Sequence, residues 1–497
     1  MSSPLCRRCP VLDPTEATVA QLRKALGDGS LTALELTRWY LDRIERFNDE
    51  LCAVIEVNPD AEAEAARLDA GPIRGPLHGV PVLLKDNLDT ADRMHTTSGS
   101  TVMLGSRPDR DATVVARLRA AGAVLLGKAN KTSWILGPAG WSARGGQTRN
   151  PYDPTRSPHG SSSGSAVGAS ANLCAVAIGT ETIGSILGPA AANCLVGVKP
   201  TTGLTSRAGM IPGIPSFDSI GPLARSVADA AEVLSMIAGP DPLDAATDGV
   251  PVLDYLSFLG ATDLRGVRIG VPRKMFFGYS EAADAVAESA LEALSGVGAV
   301  IVEDTDIPGA DELTTDPSFG RVVVNETAHG LGQYLARTPG SHPRTIAALV
   351  EANRANAAVE LELYEQDILE MLAAHAPDLD DPGYRDALAT VRRKARAEGI
   401  DAVMDEHRLD ALVMPTCPPP WPIDVVEGDP DPHGAALVPG LAGYPAISVP
   451  AGWTEGLPVG ITFTGRAFSE PVLFRLAHVF ERTRPSRRPP GATTGVR

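Results

Sequence analysis

Two serine- and glycine-rich stretches, HGSSSGS around Ser161 and IGTETIGS ending at Ser185, and one lysine closing an apolar run, Lys85 in GVPVLLKDN, are the positions whose chemistry needs explaining. A serine hydroxyl attacks a carbonyl efficiently only when a base draws off its proton. The nine histidines are scattered. Only His159 stands beside a serine cluster, and there it reads as part of a surface turn. A lysine paired with a serine is a chemically sufficient alternative to histidine with aspartate. A lysine at a strand end ordinarily reaches for solvent. If the Lys85 amine instead points into a closed pocket, desolvation favours its neutral form and makes it a proton acceptor.

The elements around these residues decide between a site and two ordinary turns. Alone, HGSSSGS reads as a solvated turn. The small, helix-compatible SAVGASANL that follows sets the loop at a helix N-terminus, where backbone N–H groups favour developing negative charge. The second cluster, AVAIGTETIGSILGPAA, begins as a buried strand and turns through Gly179 to Gly184. The N–H groups of Thr182, Ile183, Gly184 and Ser185 could line a concave nest for an oxyanion, with a tight turn and capping serine as the alternative. Two familiar patterns fail on context. GAVLLGKA has Ala129 where a phosphate loop needs Ser or Thr. GSSSG would place Ser162 on a nucleophile elbow, but a proline-broken loop precedes it instead of a strand.

Helices alternate with apolar strands along most of the chain. TVAQLRKAL and LTALELTRWYLDRIERF predict two helices, the second behind a Ser30 cap. GVPVLLKDN, AGAVLLGKAN, LCAVAIGTE, DLRGVRIGVP and AVIVEDTD predict strands, with helices at DATVVARLRAA and AADAVAESALEALSGVG. Residues 319–415 are dominantly helical, a proline-rich loop VMPTCPPPWPID follows, and YPAISVPAG and PVGITFTG supply two late strands. The pattern predicts an α/β fold, a single α/β/α sandwich with a large twisted mixed β-sheet covered by helices.

Composition narrows the class. At 497 residues, 43% hydrophobic and 21% charged, the chain is globular. A formal net charge of −17 repels phosphate backbones and anionic lipid, which predicts no nucleic-acid and no membrane partner. No run reaches the ~18 apolar residues of a membrane span, and the N-terminal stretch has no apolar core of a secretion signal, so the expected compartment is the cytoplasm. Six cysteines are too sparse for a disulfide framework. Cys6 and Cys9 form half a zinc-ribbon pattern without its second pair, so no metal and no cofactor is expected.

With these residues in view, the chain resembles the amidase signature family. GPLHGVPVLLKDNLDT is similar to its lysine segment, PHGSSSGSAVGASANLCAVAIGTETIGSILGPAAANCLVGVKPTTGLTSRAGMIP to its glycine-serine signature, and DSIGPLARSVADAAEVLSMIAG to the segment after it. The resemblance runs from about residue 15 to residue 483. It implies Ser185 as nucleophile, Ser161 as a bridging serine preceded by a cis peptide bond, and Lys85 as base. The interval of 24 residues between the two serines equals the family's. It also implies an oxyanion hole at Thr182, Ile183 and Gly184, and supporting hydroxyls at Ser162, Ser165 and Thr180. The expected reaction is cofactor-independent hydrolysis of an amide-type C–N bond through an acyl-enzyme.

Departures from the family pattern bear on substrate. Leu187 stands where many relatives carry an arginine, so an acidic substrate loses a bidentate partner and a transamidating role is not expected. Ile183 and Leu187 point to an apolar or aryl group on a neutral amide, anilide, or carbamate (urethane), with Trp421 a further pocket residue. WSARGGQTRNPY, GTET and GLTSRAGMIP resemble the peptide-amidase branch, which acts on C-terminal amides, although that branch carries an acidic residue at the Ile183 position. Readings of another class are a non-catalytic interaction protein, or an α/β-hydrolase-type esterase using Ser162. The expected layout is one amidase signature domain over 10–485, with a helical insert at about 319–415 shaping the pocket. Flexible termini are expected at 1–9 and 486–497, in a monomer or homodimer acting on a small-molecule amide or carbamate.

Overall fold

The computed structural model describes residues 12–134, 139–278, 280–430 and 434–491. Its strands are β1 (Val54–Val57), β2 (Pro81–Lys85), β3 (Val124–Ala129), β4 (Trp141–Ser142), β5 (Gly146–Gln147), β6 (Val176–Glu181), β7 (Val196–Lys199), β8 (Ser219–Ala224), β9 (Arg268–Gly270), β10 (Val300–Val302), β11 (Ala411–Pro415), β12 (Ala446–Thr454) and β13 (Leu457–Thr464). Apart from the small β4–β5 hairpin, they form one eleven-stranded sheet in the order β1-β3-β2-β6-β8-β7-β12-β13-β11-β9-β10. The sheet is mixed. Strands β3, β2 and β6 run parallel, as do β11, β9 and β10, while the strands from β6 across to β11 pair antiparallel. Helices cover it, as the alternating pattern predicts.

Continuous apolar runs give strands buried on both faces. Every residue of PVLLK in β2 and of VAIGTE in β6 is buried. Helices Ala33–Leu51, Val227–Ile237 and Glu470–Thr483 lay apolar stripes on the core that contains β2 and β6. The expected Ser30 cap is a correction. Thr32 caps that helix, exchanging hydrogen bonds with Glu35 in a capping box, while the Ser30 hydroxyl turns back to the Ala25 carbonyl. Both residues suit a cap, but only Thr32 has a glutamate three positions on.

Helix Ser163–Ser170 is built wholly from small residues, and all of them are buried. A Cβ on Gly164 would meet the Ala53 carbonyl oxygen at 2.2 Å and the Asn130 nitrogen at 2.4 Å. Glycine there lets the helix start against the ends of β1 and β3, which fixes the serine loop just before it. Helices Pro317–Arg337, Ile346–Ala355, Asp367–Ala374 and Pro382–Ala395 fill most of the helical region before β11. The stretch 486–488, assigned to a loose tail, is held in place. Arg487 pairs with Glu16 and reaches the Ser170 and Cys194 carbonyls, and Tyr152 donates to the Arg488 carbonyl. Residues 1–9, with Cys6 and Cys9, and 492–497 lie outside the described residues. Among the described residues no helix is long and apolar enough to cross a membrane.

Candidate active site

Strand β2 delivers Lys85 to a buried position, 1% exposed. Its Nζ lies 2.8 Å from Ser161 Oγ and donates to the Thr180 carbonyl at 2.9 Å. Burial pushes the amine well below the ordinary lysine value, and the neighbouring Lys131 cation pushes it the same way, against the pull of Glu181 and Asp218. This strand-end lysine therefore does not reach for solvent.

The peptide bond between Gly160 and Ser161 is cis. The loop holding it is pinned on both sides. Thr132 N–H donates to the Ser161 carbonyl, and Ser162 N–H donates to the Ser185 carbonyl at 3.3 Å. That second bond ties the two serine-rich turns together. Ser162 is fully buried, and its hydroxyl both donates to the Thr180 carbonyl and accepts from the Thr180 N–H. Ser165 Oγ donates to the Ile178 carbonyl. These two hydroxyls stitch helix Ser163–Ser170 to β6. A nucleophile-elbow role for Ser162 is corrected by the same facts, because a hydroxyl sealed against β6 meets no substrate.

Beyond β6 the chain turns through Thr182 to Ser185, and Gly184 sits at φ +87°, a conformation that glycine adopts without steric cost. The buried Glu181 carboxylate accepts the N–H groups of Ile186 and Leu187 at 2.5 and 2.8 Å. Burial raises its pKa, and the Leu187, Ile186 and Gly184 N–H groups oppose that rise. The Gly184 N–H thus faces Glu181 as well as belonging to the turn named for an oxyanion. Thr180 Oγ1 accepts from Asn87, and Thr182 Oγ1 donates to Asp218.

Lys85, Ser161 and Ser185 line one cavity of about 230 Å³, together with Thr180, Thr182, Ile183 and Gly184. Among the described residues no hydrogen bond joins Ser161 Oγ to Ser185 Oγ, and both residues line the shared space. Met210 to Ile214 form an apolar wall, and Val323, Thr327 and Leu331 of helix Pro317–Arg337 close another side. Sequence reasoning missed this wall, and also Asn87, Lys131 and Asp218. Nothing local marked Lys131 or Asp218, since Lys128 stands beside the first and Arg225, Asp229 and Glu232 share the segment of the second.

Two pocket assignments need correction. Leu187 is fully buried in the short helix Leu187–Ala192 and packs with Ala436, Ala446 and Ile183, away from the cavity. The turn at Gly184 rotates position 187 into the core. Trp421 stands one layer behind the cavity, its ring 5.2 Å from that of His159 in an edge-on contact. His159, read as a surface-turn residue, is 5% exposed and lines the cavity. Among the described residues no three His, Cys, Asp or Glu side chains gather as a metal site.

Lys85, Ser161 and Ser185 thus share one cavity beside the mixed sheet, and the Amidase family model matches residues 35–474. The chain belongs to that family and is an amidohydrolase. It is 39% identical, over 96% of its length and 91% of the relative's, to a probable amidase of Arabidopsis thaliana. Among solved structures it is similar to the peptide amidase PAM in complex with the competitive inhibitor chymostatin, at 46% identity and a TM-score of 0.91, covering 96% of this chain and 99% of that one. The native peptide amidase from Stenotrophomonas maltophilia matches at 45% identity and a TM-score of 0.90, over 96% and 98% of the two chains.

Proposed function

We propose that the enzyme cleaves a neutral linear amide with an apolar flank by acyl transfer to Ser185. The observation that carries this reading is the buried Lys85 amine, 2.8 Å from Ser161 Oγ in the cavity that Ser185 also lines. Neutral Lys85 takes the Ser161 proton as Ser161 takes that of Ser185, and the Ser185 oxygen bonds to the substrate carbonyl carbon. The tetrahedral oxyanion rests against the N–H groups of the Thr182–Ser185 turn, chiefly those of Thr182 and Ile183, since the Gly184 N–H also serves Glu181. The C–N bond then breaks, and the relay returns its proton to the departing amine. Water, deprotonated by the same relay, releases the acid and restores Ser185.

Similarity to peptide amidase favours the C-terminal amide of a peptide with apolar side chains, which the Met210–Ile214 wall and Leu331 would receive. One observation favours a second reading. Ile183 faces the cavity where the peptide-amidase branch has an acid, which suits aryl amides or carbamates.

A fluorophosphonate probe followed by intact-mass analysis tests the chemistry. One adduct on Ser185 is expected, and none in Ser185→Ala. Labelling that persists in Ser185→Ala would refute the nucleophile assignment. Ammonia release from peptide amides, measured against amine release from anilides and carbamates, separates the two substrate readings.

A further inference from the structure

A second cavity of about 520 Å³ lies beside the first and shares Met210, Pro212 and Asp218 as a common wall. Five arginines line it, Arg110, Arg207, Arg337, Arg392 and Arg396, in a protein whose formal net charge is −17. The carboxylates in the same lining are already engaged. Asp244 holds Arg207 in a salt bridge. Glu326 accepts from the Ser216 N–H and the Tyr384 hydroxyl. Asp218 accepts from the Gly213 and Ile214 N–H groups and the Thr182 hydroxyl.

The remaining guanidiniums make no close ion pair, although Asp89 attracts Arg110 and Arg337 and Glu326 attracts Arg392. Among the described residues Arg110, Arg337, Arg392 and Arg396 enter no ion pair, and the buried Nε of Arg392 has no hydrogen-bond partner. Burial holds Arg392 below the ordinary arginine value, and the like charges of Arg396 and Arg207 act in the same direction. Five guanidiniums against the three carboxylates Asp218, Asp244 and Glu326 leave the lining with an excess of positive charge, which an entering anion would relieve. Planar guanidiniums offer paired N–H donors that match carboxylate and phosphate oxygens. The Met210–Asp218 wall separates this hollow from the scissile amide, so its occupant need not be the acyl group.

We propose that this arginine-lined cavity is an anion-binding site, taking a carboxylate or phosphate group held by Arg392, Arg396 and Arg337. The anion has two possible sources, an acidic side chain on an extended substrate or a small free anion.

Isothermal titration of the full chain with inorganic phosphate and with citrate, at constant ionic strength, tests the site without relying on Ser185 chemistry. Saturable binding is expected, weakened about tenfold in Arg392→Gln, the loss of one charge-assisted pair. Arg337→Gln, at the exposed rim, supplies a variant whose fold is not at stake, and the same weakening is expected there. Arg273→Gln, a surface arginine paired with Glu288 and Glu303 elsewhere, keeps wild-type binding. No saturable heat with either anion, or equal affinities in all four proteins, overturns the proposal.

Kinetics on matched acidic and neutral amides then assign the source. A selective rise in KM for the acidic amide in Arg337→Gln, with competition by phosphate, places the anion on the substrate. An unchanged KM ratio with phosphate binding intact makes it a free anion. Either result supports the site.

Discussion

Replacing Lys85 by methionine should remove activity and stabilise the fold, and the gain should depend on pH in a defined direction. In the folded protein burial holds the Lys85 amine well below its ordinary value, whereas in the unfolded chain a lysine keeps its proton up to about pH 10.4. The unfolded state therefore binds one more proton over the window between the two values. Wild-type stability accordingly rises with pH across that window. Each pH unit of it corresponds to about 1.4 kcal/mol. Methionine keeps the apolar stem and carries no proton to lose. It forfeits the hydrogen bonds to Ser161 and Thr180, about 0.5–1.5 kcal/mol each, but the Thr180 carbonyl still accepts from Ser162 and Ser161 faces the cavity. About two pH units of the window outweigh that loss. With an unfolding entropy of about 2.1 cal/mol/K per residue, about 1 kcal/mol is worth about 1 °C in this chain. Differential scanning fluorimetry in half-unit steps from pH 6.5 to 10.5 should show the Lys85→Met melting temperature above that of wild type at neutral pH. The gap should close by about 1.4 °C per unit toward pH 10.4. The other buried lysines are common to both proteins and cancel. A gap independent of pH, or one that widens as pH rises, would refute a neutral Lys85. In the same variant kcat should fall by about 10²–10⁴, the usual worth of a positioned base.

The remaining expectations concern rate and turn geometry. Because the neutral amine is the active form, kcat/KM should rise tenfold per pH unit on its acid limb and level off above the folded Lys85 value; a maximum near pH 5 would exclude a lysine base. Lys131, itself held at about 7 by burial, lowers the Lys85 value through its charge. Lys131→Met should therefore move the acid limb to higher pH with the plateau kept, as read from a pH–rate profile. Glu181→Ala strands the buried N–H groups of Ile186 and Leu187. It should cost about 2–4 kcal/mol in denaturant stability and slow fluorophosphonate labelling of Ser185 through a loosened turn, whereas Glu181→Gln should recover part of both.

What the sequence made legible follows the range of the forces involved. Strands β2 and β6 could be read directly, because an unbroken apolar run bounded by glycine and a polar stop specifies a strand buried on both faces. Lys85, Ser161 and Ser185 could be picked out as candidates because each lies inside a contiguous segment of distinctive composition, and the structure places all three on one cavity. Of the cavity walls, the helical stretch 319–415 was expected to contribute, and Val323, Thr327 and Leu331 lie in it, but the particular residues could not be named and Met210–Ile214 was not foreseen. Met210–Ile214 and Leu331 approach Ser185 only after separate loops and helices pack, and nothing local in MIPGI or in helix Pro317–Arg337 encodes that approach. Leu187 was misplaced for a related reason. Counting two residues beyond Ser185 says nothing of direction until Gly184 at positive φ sets the turn.

The expectation that a lysine at a strand end reaches for solvent fails here four times, and the pattern of failure is informative. Lys85 ends β2, Lys199 ends β7, Lys128 lies near the end of β3 and Lys131 just beyond it, and all four are buried. Lys128 and Lys199 bond mainly to backbone carbonyls away from the cavity, as structural cations do. Lys131 lines the cavity but meets three acceptors, Ser98 Oγ and the Thr132 and Trp134 carbonyls, one for each N–H of an ammonium. Lys128 also pairs one carbonyl with a hydroxyl, Thr96 Oγ1, but neither residue lines the cavity; Lys85 pairs one carbonyl with Ser161, which shares the cavity with Ser185, and meets no third acceptor. A hydroxyl can reverse from acceptor to donor as the proton moves, and a carbonyl cannot. A reversible hydroxyl partner that shares the cavity with Ser185, with no third acceptor to hold an ammonium, is the physical ground for assigning proton transfer to Lys85 among four buried lysines.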